Sequence, residues 1–190
     1  MAKLKWRGGA MLAPVPPAIV SCGEGERANL ITVAWTGILS TQPPRTYISV
    51  RPTRHSHKLI EESGEFVINL TTAQLARAAD YCGMYTGAKV NKFEKCRLTA
   101  AESTEVACPS LAESPLSLEC RVFEVKRLGS HDMFLADIVA VTVDESLVDG
   151  GGKLRLDRAE LCAYAHGEYY ALGKRLGKFG FSAVKKKKKK

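Results

Sequence analysis

Asn29-Leu-Ile-Thr-Val-Ala-Trp35 is β-branched and apolar almost throughout, and a second run, Thr46-Tyr-Ile-Ser-Val50, opens directly into Arg51-Pro-Thr-Arg-His-Ser-His-Lys58. Both runs predict strands. The basic segment, taken from Ser49, predicts a turn followed by a short helix. Ser56 stands where that helix begins, Leu59 and Ile60 make its apolar side, and Ser63-Gly64 stop it. Arg51 and Arg54 therefore sit where a strand end gives way to a helix start. Two guanidiniums, a hydroxyl and the free N–H groups of a first helical turn suit a phosphate. A solvated basic turn is the competing reading.

Toward the N-terminus, Pro14-Val-Pro-Pro17 reads as extended chain and Ala18-Ile-Val-Ser-Cys22 as a first strand, closed by a Gly23-Glu-Gly25 turn. Asn29 and Thr32 are the polar breaks in the second strand. They lie three apart and share no face, which a bulge or a ligand at the strand end would reconcile. Asn29 belonging to the turn is the plainer account. Trp35-Thr36-Gly37 ends the apolar run and leaves backbone N–H groups open to something flat beside Trp35; a core tryptophan is the alternative. Pro43-Pro44 predicts a loop.

Toward the C-terminus, Glu65-Phe-Val-Ile-Asn-Leu70 predicts a strand. Thr71 or Thr72 then caps a helix with Leu75, Ala78, Ala79 and Cys82 on its apolar side. Tyr85 to Phe93 is a glycine-containing loop leading into a short turn, with Lys89 and Lys92 either solvated or reaching an anion. Leu116 to Lys126 alternates and predicts a strand with one wet face. Leu128-Gly-Ser-His-Asp132 is a hairpin-like turn carrying His131, and Met133 to Val143 is a long antiparallel partner. Tyr164, Tyr169 and Tyr170 form either a covering flap or a docked terminus.

The chain's 190 residues, 45% hydrophobic and 25% charged, suit one globular domain, placed at residues 1–184. Six of the +8 formal charges come from Lys185 to Lys190, which leaves +2 for the rest. The basic balance is thus an effect of the lysine run, set aside from the fold. Cysteines at 22, 82, 96, 108, 120 and 162 make no C-x-x-C pair and no metal-like spacing, so reduced thiols in a cytoplasmic protein are expected, with no metal. No apolar run approaches the ~18 residues of a membrane span. There is no G-x-G-x-x-G after a strand, no Walker loop and no G-x-S-x-G elbow. Many strands on short links with few helices predict a mainly β fold with short helices, closed or nearly closed as an antiparallel barrel.

Taken in order, Asn29 to Trp35, Pro43-Pro44, Arg51-Pro-Thr-Arg-His-Ser56, Glu62-Ser-Gly-Glu-Phe-Val-Ile-Asn69, Lys92-Phe93 and Gly129-Ser-His131 resemble the flavin reductase family with the FMN-binding split-barrel fold, its flavoredoxin branch most of all. The resemblance implies a split antiparallel β-barrel and a homodimer with one noncovalent FMN per subunit. It implies that Arg51, Arg54, Ser56 and Lys92 hold the phosphate. Asn29, Thr32, Ala34, Trp35 and Thr36, with Ser49 nearby, would line the isoalloxazine, and His131 and Tyr164 would approach it from later in the chain. The flavin then carries the redox chemistry, reduced by NADH or NADPH or by a protein such as a ferredoxin. The rival is a barrel that binds nucleic acid or another polyanion without turnover. The low charge outside the lysine run and the absence of an aromatic stacking array make nucleic acid a poor fit. A split barrel that has lost its flavin is a third reading.

Overall fold

The computed structural model describes residues 1–183; the lysine run lies outside them. The chain forms β1 (Ala18–Cys22), β2 (Asn29–Val33), β3 (Thr36–Thr41), β4 (Pro44–Val50), α1 (His55–Ser63), β5 (Glu65–Leu70), α2 (Ala76–Met84) and α3 (Lys92–Cys96). There follow β6 (Ala100–Ala101), β7 (Ser110–Leu111), β8 (Leu116–Arg127), β9 (Asp132–Val143), β10 (Cys162–Ala165) and β11 (Glu168–Ala171). Seven strands make one sheet in the order β2-β1-β5-β8-β9-β4-β3, antiparallel at every pairing.

This order forces the sheet to curl. Its two edges, β2 and β3, are neighbours in the chain, joined by Ala34 and Trp35 alone. Three Cα steps reach about 11 Å, whereas seven strands laid flat span about 29 Å. The edges must therefore come round to each other, as the barrel reading expects. Ser49 N donates to Trp35 O at 2.9 Å, which carries the β3–β4 pairing back to the joint.

Ala18, Val20 and Cys22 of β1 face the barrel interior, with Ile31 and Val33, Ile48 and Val50, Phe66 and Ile68, and Phe134 and Ala136. Leu59 and Ile60 of α1 close one end of that core. Ile19 and Leu30 point the other way, into a second cluster with Leu75, Ala79 and Cys82. Strands β1 and β2 are thus apolar on both faces, which is why their sequences run on without alternation. Asn69 is buried between strands with its valences used: Nδ2 donates to Ile19 O and Ser21 Oγ, and Oδ1 accepts from Leu111 N and Ser117 Oγ.

Four expectations need correction. Thr36 to Thr41 is a strand, although its sequence ends the apolar run; pairing with β4 makes it one, and Gly37 lets the Tyr47 ring pack close to the backbone. The loop expected at Pro43-Pro44 is a tight turn at Gln42 and Pro43 only, because Pro44 already pairs with Thr41 at the start of β4, where a missing N–H is tolerated. Neither threonine caps α2. Thr72 Oγ1 accepts from Leu75 N in the turn before it, and Thr71 Oγ1 is buried without a partner among the described residues. Strand β2 pairs without a bulge, so Asn29 and Thr32 simply face opposite sides.

Candidate functional site

Strand β4 delivers Ser49 and Val50 into the basic turn. Arg54 N donates to Arg51 O at 3.0 Å and His57 N to Arg54 O at 3.0 Å, so the turn runs straight into α1. No side chain among the described residues caps α1, and its first turn holds no acidic residue. Its first N–H groups are left for an anion. Arg27, Arg45, Arg121, Arg127 and Arg155 each pair with a carboxylate. Arg51 and Arg54 form no such pair among the described residues.

Two adjoining cavities open here, sharing Ile31, Arg51 and Arg54. The smaller, about 190 Å3, lies between Thr53, His55 and Ser56 on one side and Tyr85, Thr86, Gly87 and Lys92 on the other. Lys92 is 4% exposed. Its Nζ donates to Leu30 O at 2.5 Å and Cys82 O at 2.9 Å, which leaves one of its three N–H bonds over. Burial pulls the Lys92 ammonium below its ordinary value. Cys22 and Cys82 stand near it as protonated thiols, each pushed up to about 12, chiefly by burial.

The larger cavity, about 700 Å3, is floored by Ile31 to Trp35 and by Ser49 to Arg51. Trp35, 44% exposed, meets His131 with ring centroids 4.4 Å apart and planes inclined at 50°. Burial, and then the Arg51 charge, hold His131 below its ordinary 6.5. The turn carrying His131 is pinned from behind. Asp132 Oδ2 meets His57 Nε2 of α1 at 2.8 Å and accepts from Arg127 Nη1 at 2.8 Å. Strands β10 and β11 form a hairpin whose Tyr164, His166, Gly167 and Tyr169 make a further wall, with Asp80, Gly83 and Met84 of α2 and Ala10 to Ala13 of the N-terminal segment. Burial, then Asp80, push the Tyr169 phenol up to about 12.

Of the residues singled out in the sequence, Thr32, Ala34, Trp35, Ser49, His131 and Tyr164 line the larger cavity, Ser56 and Lys92 the smaller, and Arg51 and Arg54 both. Asn29 and Thr36 line neither. Asn29 Nδ2 donates to Ser56 Oγ at 2.8 Å, and Thr36 Oγ1 donates to Tyr47 O at 2.6 Å. The Thr32 hydroxyl donates its proton to Ala79 O, so that proton is not available to the cavity. Sequence reasoning missed Asp80, Gly87 and His166. Asp80 and His166 carried no signal, whereas Gly87 belonged to a loop already marked by its glycine. It also missed α3, whose start was written in Asn91 and Glu94: Asn91 Oδ1 accepts from Glu94 N.

A flavin reductase like domain matches residues 11–173. A protein of Archaeoglobus fulgidus is 38% identical over 66% of this chain and 71% of its own length. An NADPH-flavin oxidoreductase of Streptomyces viridifaciens is 27% identical over 70% of this chain and 69% of its own. The flavoredoxin of Desulfovibrio vulgaris (Miyazaki F) superposes with a TM-score of 0.88 at 28% identity, covering 96% of this chain and 100% of that one. These likenesses support the split-barrel flavoprotein and give none to the polyanion-binding module. With the domain matched across most of its length, this chain belongs to the flavin reductase-like family.

Proposed function

We propose that this chain, as one domain over residues 1–184, binds FMN noncovalently and moves hydride or electrons through it. The observation that carries the reading is the smaller cavity, where unpaired Arg51 and Arg54, buried Lys92 and the Ser56 hydroxyl converge. These donors fit a phosphate dianion: a third Lys92 N–H, two guanidinium forks and the N–H groups at the start of α1. The adjoining floor from Thr32 to Trp35 is backbone and aromatic surface, which fits a flat ring. Bound there, FMN supplies the redox chemistry. The chain's own residues bind the phosphate, lay the ring along β2 and the joint at Trp35, and keep His131 and Tyr164 on the cavity wall. His131, whose pKa burial and then Arg51 lower, lines the same cavity.

The reductant we infer is NADH in preference to NADPH. With a phosphate dianion held by Arg51, Arg54 and Lys92, Asp80 is the acidic residue among the described wall residues of the larger cavity, and it opposes the extra phosphate of NADPH. A protein donor such as a ferredoxin is the second reading, favoured by Trp35, which lines the larger cavity and is 44% exposed. A homodimer is supported by β3, an edge strand with Ile38 and Leu39 64% and 44% exposed. No helix among the described residues is long and apolar enough to cross a membrane. No group of acidic, histidine or cysteine side chains among them could hold a metal.

The test is a visible spectrum of the FMN-loaded protein, then stopped-flow mixing with NADH and with NADPH. Bleaching of the flavin band, faster with NADH, is expected. Flavin that binds and stays oxidised with both would transfer the role to a protein donor. Riboflavin and FMN binding with equal affinity would refute the phosphate assignment.

A further inference from the structure

The charges of this chain are segregated along it. All 20 Asp and Glu lie from Glu24 to Glu168, whereas 12 of the 28 Lys and Arg lie outside that span: Lys3, Lys5 and Arg7 before it, and Lys174, Arg175, Lys178 and Lys185 to Lys190 after it. The span itself is therefore net −4, from 16 cations against 20 acids, and the two flanking segments are +12. Both segments issue from walls of the larger cavity. Ala10 to Ala13 belong to its wall, and Arg7 is three Cα steps from Ala10, within about 11 Å of it. Tyr164 and Tyr169 of the β10–β11 hairpin belong to its wall too, and Lys174 stands three residues beyond Ala171, the end of that hairpin. Val15 N donates to Tyr164 O at 2.9 Å and Tyr164 N to Val15 O at 2.8 Å, so the two segments are stitched to each other beside the cavity. Residues 1–12 and 171–183 are exposed throughout. Lys3, Lys5, Arg7, Lys174, Arg175 and Lys178 form no ion pair among the described residues.

We propose that these six cations make a docking surface for a small acidic electron-carrier protein, seated beside the larger cavity. This rests on the flavin reading above and gives its protein-donor branch a place to act. The charge complementarity is directional. The basic segments attract an acidic partner while the −4 span repels it, so the partner is steered to the side of the molecule where the cavity lies. Leu4, Trp6, Leu176 and Phe179 are exposed among the cations and supply the apolar contact of an interface. Gly8, Gly9, Gly173, Gly177 and Gly180 interrupt both segments, so neither is an amphipathic helix of the kind that lies on a lipid surface. Two one-electron carriers are oxidised for each two-electron reduction of the flavin, with protons taken from water. The docking site must therefore empty and refill within one turnover, which suits a steered, salt-sensitive contact better than a large apolar one.

The experiment uses the full chain and a fluorophore-labelled plant-type [2Fe–2S] ferredoxin as the acidic probe. Association with FMN-free protein is read by stopped-flow anisotropy at about 10 mM and about 150 mM salt, between which the Debye length shrinks from about 30 Å to about 8 Å. Association should slow at least about tenfold at the higher salt. At the lower salt, Lys3→Gln, Lys5→Gln and Arg7→Gln together should weaken binding about threefold, Lys174→Gln, Arg175→Gln and Lys178→Gln together about threefold, and all six about tenfold. Lys95→Gln, Lys126→Gln and Lys153→Gln, exposed cations of the acidic span, should together change it less than about 1.5-fold. In the FMN-loaded protein, bleaching by reduced ferredoxin should slow in the same order, while photoreduced deazariboflavin, an uncharged donor, should bleach all variants alike. Binding or bleaching that ignores the six substitutions would overturn the proposal. So would an equal loss from the Lys95, Lys126 and Lys153 set, or tighter binding to vesicles of equal parts phosphatidylserine and phosphatidylcholine than to the ferredoxin. A protein that fails to hold FMN would sink the flavin reading instead, because association is read without the flavin.

Discussion

Lys92 shows how much one side chain can be asked to do. Its stem is buried and its ammonium ties β2 to the end of α2 through Leu30 O and Cys82 O, while its remaining proton is free for the smaller cavity. Lys92→Met keeps the packing and removes the charge, so FMN affinity should fall by about 1.5–3 kcal/mol with riboflavin little changed, read by fluorescence quenching. Arg51→Ala should do the same to FMN and should also move His131. Burial and the Arg51 charge both lower the His131 pKa, so deleting the charge raises it toward 6.5; an imidazole NMR titration of apo-protein reads the direction. Asp80→Asn should narrow the gap between NADH and NADPH in the rate of flavin bleaching. An unchanged gap would remove Asp80 from the specificity argument.

At the scale of elements, the loop 102–106 is held to β8 by Glu119, a carboxylate with no exposed surface. Burial alone would raise its pKa, but the N–H groups of Thr104 and Glu105 and the Thr104 hydroxyl outweigh that and hold it below the ordinary 4.5. A depressed carboxyl pKa stabilises the fold fully above the unfolded value, and that contribution disappears as pH falls through the folded one. Unfolding by urea should thus become easier below about pH 4.5, and Glu119→Gln should flatten that part of the pH profile while costing about 2 kcal/mol at neutral pH. Helix α1 was legible to the residue at its C-terminal end, since Gly64, at φ 69°, is the left-handed cap that Ser63-Gly64 announced. Strand β3 was not, because a short run with exposed Ile38 and Leu39 carries no alternation and becomes a strand only beside β4.

For the whole molecule, the curled sheet leaves β3 as an exposed, apolar edge beside the cavity floor. If the proposed homodimer forms through this edge, Ile38→Asp should shift the sedimentation coefficient of the unaltered protein down to that of a monomer at micromolar concentration; an unchanged coefficient would count against a dimer through β3. Several features were determined by local sequence. The β-branched runs, the basic turn and the glycine stop set which segments are strands and where α1 lies, since such preferences act over a few neighbouring residues. The donors of the proposed phosphate site at Arg51, Arg54 and Ser56 could be grouped from sequence for the same reason: they lie within six residues. Tertiary structure alone decided the rest. Bringing Lys92, Gly87 and Asp80 opposite the basic turn depends on α2 and α3 packing over β1 and β2. Turning Asn29 from a ring contact into the partner of Ser56 depends on contacts 27 residues apart. Long-range packing sums many weak apolar contacts, and no stretch of sequence contains both sides of them.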